Sequence, residues 1–207
     1  MKPPQRSRPR SKKAFGITIL NGSDPRIRRL KRSNFQPTIH GNKFWKSSLL
    51  LMDYFRKNNL PRGSRVIEAG CGWGLAGIYL AKKFEASVSS VDADSDVFPF
   101  LELHASINRV EIQTIRAKFE ELTGEFLSNI DVLIGSDVCF WDDMVKPVFN
   151  LMRRARRHGI KKIVIADPGR SPFRKLSSMA TKELGAKTND WDTGVRYKAA
   201  GQLLVVE

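Results

Sequence analysis

From Asn42 to the end of the chain, short apolar runs alternate with longer stretches of helical periodicity. "RVIEAG" (65–70) reads as a strand feeding a helix that runs to about Phe84. "SVSSVDAD" (87–94) reads as a second strand, and "FPFLELHASIN" (98–108) as a helix with Pro99 in its first turn. Further strands are expected at "EIQTIRAKF" (111–119), "IDVLIGSDVCF" (130–140), "KKIVIADPG" (161–169) and "GQLLVVE" (201–207), and helices at 145–159, closed by Gly159, and at 171–185. A stripe of Phe44, Trp45, Leu49, Leu50, Met52, Tyr54 and Phe55 adds a helix that ends before Pro61. Strict alternation of this kind implies βαβ units. The expected fold is therefore α/β and doubly wound, a mostly parallel sheet with helices on both faces, Rossmann-like. The 207 residues suffice for one core, and no apolar run approaches a membrane span, so no membrane partner is expected.

The positive charge is unevenly placed. Of 36 Lys and Arg, thirteen fall in residues 1–46 against a single acid, Asp24, which leaves 23 basic and 20 acidic groups for the remainder. Residues 1–41 are accordingly read as a basic, partly disordered N-terminal arm and 42–207 as the folded domain. Within the arm, residues 1–20 are expected to be loosely attached and "SDPRIRRLKRSNF" to be a polar connector. Pro3, Pro4 and Pro9 oppose the amphipathic helix of a transit peptide. Such an arm raises encounter rates with RNA, a ribosome or an acidic protein, or simply serves as a solvated tail. "RRARR" (153–157) is expected to form an exposed basic face at a helix C-terminus. Cys71 and Cys139 stand in unrelated contexts, which points to reduced thiols and a cytoplasmic address. His40, His104 and His158 lack ligand spacing, so no metal is expected.

The first strand ends in "VIEAGCGWG". Glycines at Gly70, Gly72 and Gly74 let the backbone approach a ligand closely and lead into the positive end of a helix. On spacing alone, with Gly77 following, a loose nucleotide-binding reading survives. Glu68 argues against it, because a carboxylate there would repel a pyrophosphate and suits a cationic amino group instead. At the end of the next strand, Asp92 in "SSVDAD" is placed to accept both hydroxyls of a ribose. A ligand with a cationic amino acid at one end and a ribose at the other is S-adenosylmethionine.

At these residues the chain resembles the class I, seven-strand S-adenosylmethionine-dependent methyltransferases, over roughly residues 42–207. "VIEAGCGWG" matches the family's first motif and "SVDAD" its second. The resemblance implies a seven-stranded sheet and a cofactor site at Glu68, Gly70, Cys71, Gly72, Gly74, Asp92 and Ala93, with S-adenosylhomocysteine as product.

After the fourth strand the chain reads "GSDVCFWDD". It lacks the prolines of the N/D-P-P-Y/F motif used on exocyclic base amines. Cys139 lacks the Pro-Cys or Thr-Cys context of cytosine C5 enzymes, and a structural role is expected for it. Asp137 to Phe140 matches D-x-x-F/Y, which resembles the branch that methylates protein lysines, as do Trp45 in "NKFWKSSLLL" and "FLELHASIN". That resemblance implies catalytic roles for Asp137 and Phe140, with Trp45 near the methionine end of the cofactor, Ser136 beside the adenosine and Phe119 beside the adenine. Relatives often carry an acid or Trp where this chain has Lys118 and Phe119. "ADPGRSPF" (166–173) resembles some relatives and not others. The expected activity is N-methylation of a lysine on a protein. An RNA or ribosome-associated methyltransferase, a small-molecule acceptor and a non-catalytic binding module remain as alternatives.

Overall fold

The computed structural model describes residues 10–33, 35, 37, 41 and 43–207. The first nine residues of the basic arm, His40 and Asn42 lie outside them. Seven strands form one sheet in the order β5-β4-β3-β6-β7-β9-β8, comprising β3 (Arg65–Ala69), β4 (Ser87–Asp92), β5 (Gln113–Arg116), β6 (Val132–Ser136), β7 (Lys162–Asp167), β8 (Lys187–Asp192) and β9 (Ala200–Val206). The first five are parallel, and β9 runs antiparallel to both β7 and β8. Strand order reverses between β3 and β6, so the crevice for a ligand opens at their carboxyl ends.

Both faces of the sheet are buried, which is why its central strands read as continuous apolar runs. Val66, Ile134, Val164 and Leu203 pack on one face with α2 (Ser47–Lys57), α3 (Leu75–Phe84) and α4 (Phe98–Asn108). Their neighbours Ile67, Leu133, Ile163 and Leu204 pack on the other with α5 (Gly124–Leu127), α6 (Val145–Arg157) and α7 (Ser171–Leu184).

The N-terminal region departs from expectation. Residues 11–20 are not loosely attached. They form a hairpin of β1 (Ser11–Ala14) and β2 (Ile17–Leu20), whose Ile17, Ile19 and Leu20 are fully buried. Burying three such side chains contributes roughly 1.5–3 kcal/mol each, enough to overcome the charge density around them. Two residues of α4 grip the hairpin. Asn108 accepts from the Thr18 N–H at 2.8 Å and donates to the Thr18 carbonyl at 2.9 Å, while His104 Nε2 accepts from the Leu20 N–H at 3.1 Å. The other ring nitrogen, Nδ1, lies 2.7 Å from the Phe100 carbonyl and donates to it in this tautomer, and burial pushes the imidazole's pKa down. The supposed polar connector contains a helix, α1 (Pro25–Arg32). Asp24 caps it by accepting from the Arg26 N–H at 2.9 Å, and Pro25 opens it.

Two further expectations are revised. Strand β8 was not apparent in the sequence, because "KTNDWD" is a polar, mostly exposed edge strand. The arginines of "RRARR" are not all solvated: Arg154 donates to the Phe119 and Leu122 carbonyls, and Arg156 to those of Ile160 and Lys161. Arg154 thereby holds the turn that carries Phe119 against α6.

Candidate active site

The turn after β3 depends on missing side chains. Gly70 has φ +64°, and a Cβ there would lie 2.7 Å from Val138 Cγ1; Gly74, with φ +65° at the start of α3, would meet Leu101 Cδ1 at 2.4 Å. Side chains are excluded both by the backbone conformation and by the close approach of neighbouring chain. The turn is pinned to β4 from both sides. The Cys71 N–H donates to the Val91 carbonyl at 3.0 Å, and the Gly72 N–H donates to Asp92 Oδ2 at 3.0 Å. Asp92 Oδ1 accepts from the Asp94 N–H at 3.0 Å. Burial raises the Asp92 pKa, and these two N–H donors oppose that rise by favouring the ionised form.

Beyond this turn lies a cavity of about 430 Å³. Nine of the twelve residues expected to form the site line it: Trp45, Gly70, Gly72, Asp92, Ala93, Phe119, Ser136, Asp137 and Phe140. They come from the segment before α2 and from the carboxyl ends of β3, β4, β5 and β6, so the sheet brings together residues far apart in sequence. Trp73, which the sequence reading passed over, stacks on Phe100 and donates its indole N–H to the Gly41 carbonyl at 2.8 Å. That bond holds Gly41, another wall of the cavity, in place.

Glu68, Cys71 and Gly74 do not line the cavity. Glu68, expected to face a cationic amino group, is buried outside that lining. Strand parity puts it on the same face as Val66, beneath α3, where Ser90 Oγ donates to Oε2 at 3.0 Å and a Cβ on Gly77 would stand 2.5 Å from that oxygen. The carboxyl is 2% exposed, and burial pushes its pKa up to about 7, against the opposing hydrogen bonds from Ser90 and the Gly77 N–H. Through these hydrogen bonds it ties α3 to the sheet. A folded-state pKa raised from 4.5 means that the stability this group contributes is fully present below about pH 4.5 and is lost as pH rises through about 7. Glu68→Gln, an isostere without the titration, is therefore expected to flatten the pH dependence. In thermal melts between pH 5 and 8 the wild-type midpoint should fall several degrees more than the variant's, and parallel curves would reject this account.

Asp137 follows β6 directly. Its backbone is left-handed at φ +58°, and its N–H donates to the Ala166 carbonyl at 2.9 Å. Asx side chains tolerate this conformation better than most, though a non-glycine residue there still stores strain. One carboxylate oxygen, Oδ1, accepts from Arg170 at 2.6 Å. The other, Oδ2, is buried and has no hydrogen-bond partner among the described residues. An ionic oxygen left unmatched in a cavity wall is costly and marks a place for a donor from outside. Phe140 and Trp45 lie beside it with ring centres 5.7 Å apart at 68°. Cys139, between Asp137 and Phe140, is fully buried, and burial pushes its thiol up to about 12, the opposite of an attacking thiolate.

The Asp167–Arg170 turn was noted in the sequence without a role. The structure sets it behind Asp137, where Asp167 Oδ1 accepts from the Gly169 and Arg170 N–H groups and Oδ2 from the Arg170 side chain at 2.7 Å. Among the described residues, no group of three His, Cys, Asp or Glu side chains is arranged to hold a metal ion, and no helix is long and apolar enough to cross a membrane.

A family model described as lysine methyltransferase matches residues 29–172. The chain is 26% identical over 160 residues to the electron transfer flavoprotein beta subunit lysine methyltransferase of Xenopus laevis, covering 73% of this chain and 64% of that one. It is 32% identical over 111 residues to a calmodulin-lysine N-methyltransferase of Arabidopsis thaliana, covering 49% and 36%. Among solved structures it resembles TrmN of Thermus thermophilus, with a TM-score of 0.60 at 15% identity over 77% of this chain and 48% of that one. It also resembles a Pyrococcus abyssi tRNA (uracil-54, C5)-methyltransferase in complex with S-adenosyl-L-homocysteine, with a TM-score of 0.58 at 18% identity over 95% and 42%. At such identities these two structures bear on the fold alone. The chain spans less than two thirds of the length of each of these four proteins.

Proposed function

The chain belongs to the lysine methyltransferase family, and from that premise we propose that it methylates the side-chain amine of a lysine on a protein, with S-adenosylmethionine as methyl donor. The observation that carries the reading is the buried, unpartnered Oδ2 of Asp137 at the wall of a cavity flanked by Phe140 and Trp45.

The residues present fit that donor. Gly70 and Gly72 leave room for close backbone approach, the Asp92 carboxylate retains lone pairs for a pair of hydroxyls, and Phe119 and Ser136 offer a ring and a polar edge on the far side. When bound, S-adenosylmethionine supplies an electrophilic methyl group on a sulfonium. What the chain must do is deliver a neutral amine to it. A free lysine has a pKa near 10.4 and carries a lone pair only when deprotonated. Enclosure beside the Phe140 and Trp45 rings removes water from the amine and lowers that pKa. Asp137 Oδ2 accepts an N–H and aims the nitrogen; alignment supplies the larger share of the acceleration. Asp137 on its own would also stabilise the charged amine, so positioning rather than deprotonation is its task.

The cytoplasmic address fits two buried free thiols, Cys71 and Cys139. RNA as a second partner draws on α1, which exposes Arg28, Arg29, Lys31 and Arg32 while Asp24 is buried against Arg26. One experiment separates the readings. With methyl-labelled donor and a cell lysate, divided with and without ribonuclease, label is expected on a protein band that survives the nuclease and maps to a lysine amine by mass spectrometry. Label confined to nucleic acid would overturn the lysine reading.

A further inference from the structure

We propose that Arg170 is the positioning residue of this site, setting both the direction and the effective charge of Asp137; the proposal rests on the lysine-methylation reading. A single guanidinium joins three walls of the cavity, Asp137, Phe140 and Trp45, to Asp167, which does not line it, and so links three separate parts of the chain. Its Nη1 lies 2.6 Å from Asp137 Oδ1 and 2.7 Å from Asp167 Oδ2, and its central carbon lies 4.5 Å from the Phe140 ring centre and 5.7 Å from that of Trp45. Arg170 itself does not line the cavity. It stands behind the carboxylate and the rings, and so is not a stand-in for the acceptor.

The base of the side chain is fixed as firmly as its tip. Arg170 is the residue immediately before α7, and its N–H donates to Asp167 Oδ1 at 2.7 Å. With Oδ1 of Asp137 engaged by Arg170, Oδ2 is the oxygen of this cavity-lining residue that has no partner among the described residues. The hydrogen bond thus selects which oxygen meets the substrate and holds it at a fixed angle.

The charge matters as much as the direction. Asp137 and Asp167 together would place two negative charges beside an amine that must be neutral to react. Arg170 cancels one of them. Without it, the paired carboxylates would favour the ammonium form and raise the pH at which transfer begins. The other charged groups around the site are Lys43 over the Trp45 ring, and Asp92, Lys118, Glu120 and Asp143 on the cavity wall, the Asp92 carboxyl pushed up by burial; Asp142 is held by Lys175. They are common to all variants, so a difference between variants reports on position 170.

The test measures initial rates of label transfer to the ribonuclease-treated lysate fraction, from pH 6.5 to 10, at saturating donor. S-adenosylhomocysteine binding is followed by calorimetry and folding by thermal melting. Arg170→Gln is expected to lower the rate at least tenfold at pH 7.5 and to move the acid limb of the profile up by about one unit, so that part of the loss is regained near pH 9.5. Its S-adenosylhomocysteine affinity should stay within about twofold. Arg170→Lys keeps the charge and loses the fork, so it should lower the rate while leaving the limb where wild type has it. A uniform drop across all pH in Arg170→Gln, an unchanged rate, or loss of S-adenosylhomocysteine binding would overturn the proposal. If Arg170→Gln fails to melt cooperatively, Arg170→Lys decides, and an upward-shifted limb in that variant would count against the charge assignment. Failure of the underlying reading looks different, since wild type itself would then label no lysine.

Discussion

Replacing Asp137 with alanine is expected to cut methyl transfer by roughly a thousandfold while leaving S-adenosylhomocysteine affinity within a few-fold of wild type. The size follows from what the carboxylate does: fixing a reacting nitrogen in line with its target and hydrogen-bonding it contributes several kcal/mol of barrier, on the scale of well-placed catalytic groups. S-adenosylhomocysteine affinity should survive because Asp92, Gly70 and Gly72 lie at the ends of β3 and β4, while Asp137 follows β6. Alanine also meets the φ of +58° less readily than Asp, so part of any loss could come from the backbone. Asp137→Asn removes that ambiguity, because Asn accepts the left-handed conformation and keeps an oxygen, yet has no negative charge. A large rate loss in both variants with near-normal S-adenosylhomocysteine binding is the expected pattern. Weakened S-adenosylhomocysteine binding with full turnover at saturating donor would remove Asp137 from the chemistry.

The second large effect is expected at Gly70. Gly70→Ala adds a methyl 2.7 Å from Val138 Cγ1 and 3.6 Å from the edge of the Phe119 ring, on a backbone with φ +64°. Left-handed strain and local overpacking together cost about 2–4 kcal/mol. Val138 is next to Asp137, so the push reaches two walls of the cavity at once. S-adenosylhomocysteine affinity should fall on the order of a hundredfold, and the melting temperature by several degrees. Gly63→Ala is the matched control. Its φ is +72°, and nothing lies within 4 Å of the added carbon, so it should lose stability without losing ligand. Equal affinities in the two variants would mean that the glycine turn does not shape the site.

How much of this could be read from sequence depends on where each residue's partners lie. The central strands announce themselves because both faces of the sheet are buried, and the residues at their carboxyl ends come with them; that is why Gly70, Asp92, Ser136 and Asp137, named from the sequence, line one cavity. Glu68 was placed on its strand, but its partners within the protein were not legible. Its parity with Val66 put it under the helix that begins at Leu75, and a carboxyl there answers to Gly77 and Ser90. The hairpin was hidden by the basic and proline-rich residues around "ITIL", although its alternation with Thr18 is that of a half-buried strand. Asp24 and Pro25 carried a helix-start signal that charge density masked. Arg170 was beyond reach because its meaning arises only where the loops after β6 and β7 meet the segment before α2, and no local pattern encodes that meeting.

Helix α4 serves two masters. Its Leu101 packs against the glycine turn at Gly74, and one and two turns further along, His104 and Asn108 grip the hairpin. Trimming the chain back to its enzymatic core would therefore strip the outer support from a helix that braces the glycine turn. Mutants that reverse charge on the surface of α1 are the sound way to ask what the positive segment recognises, since amputation would confound recognition with collapse.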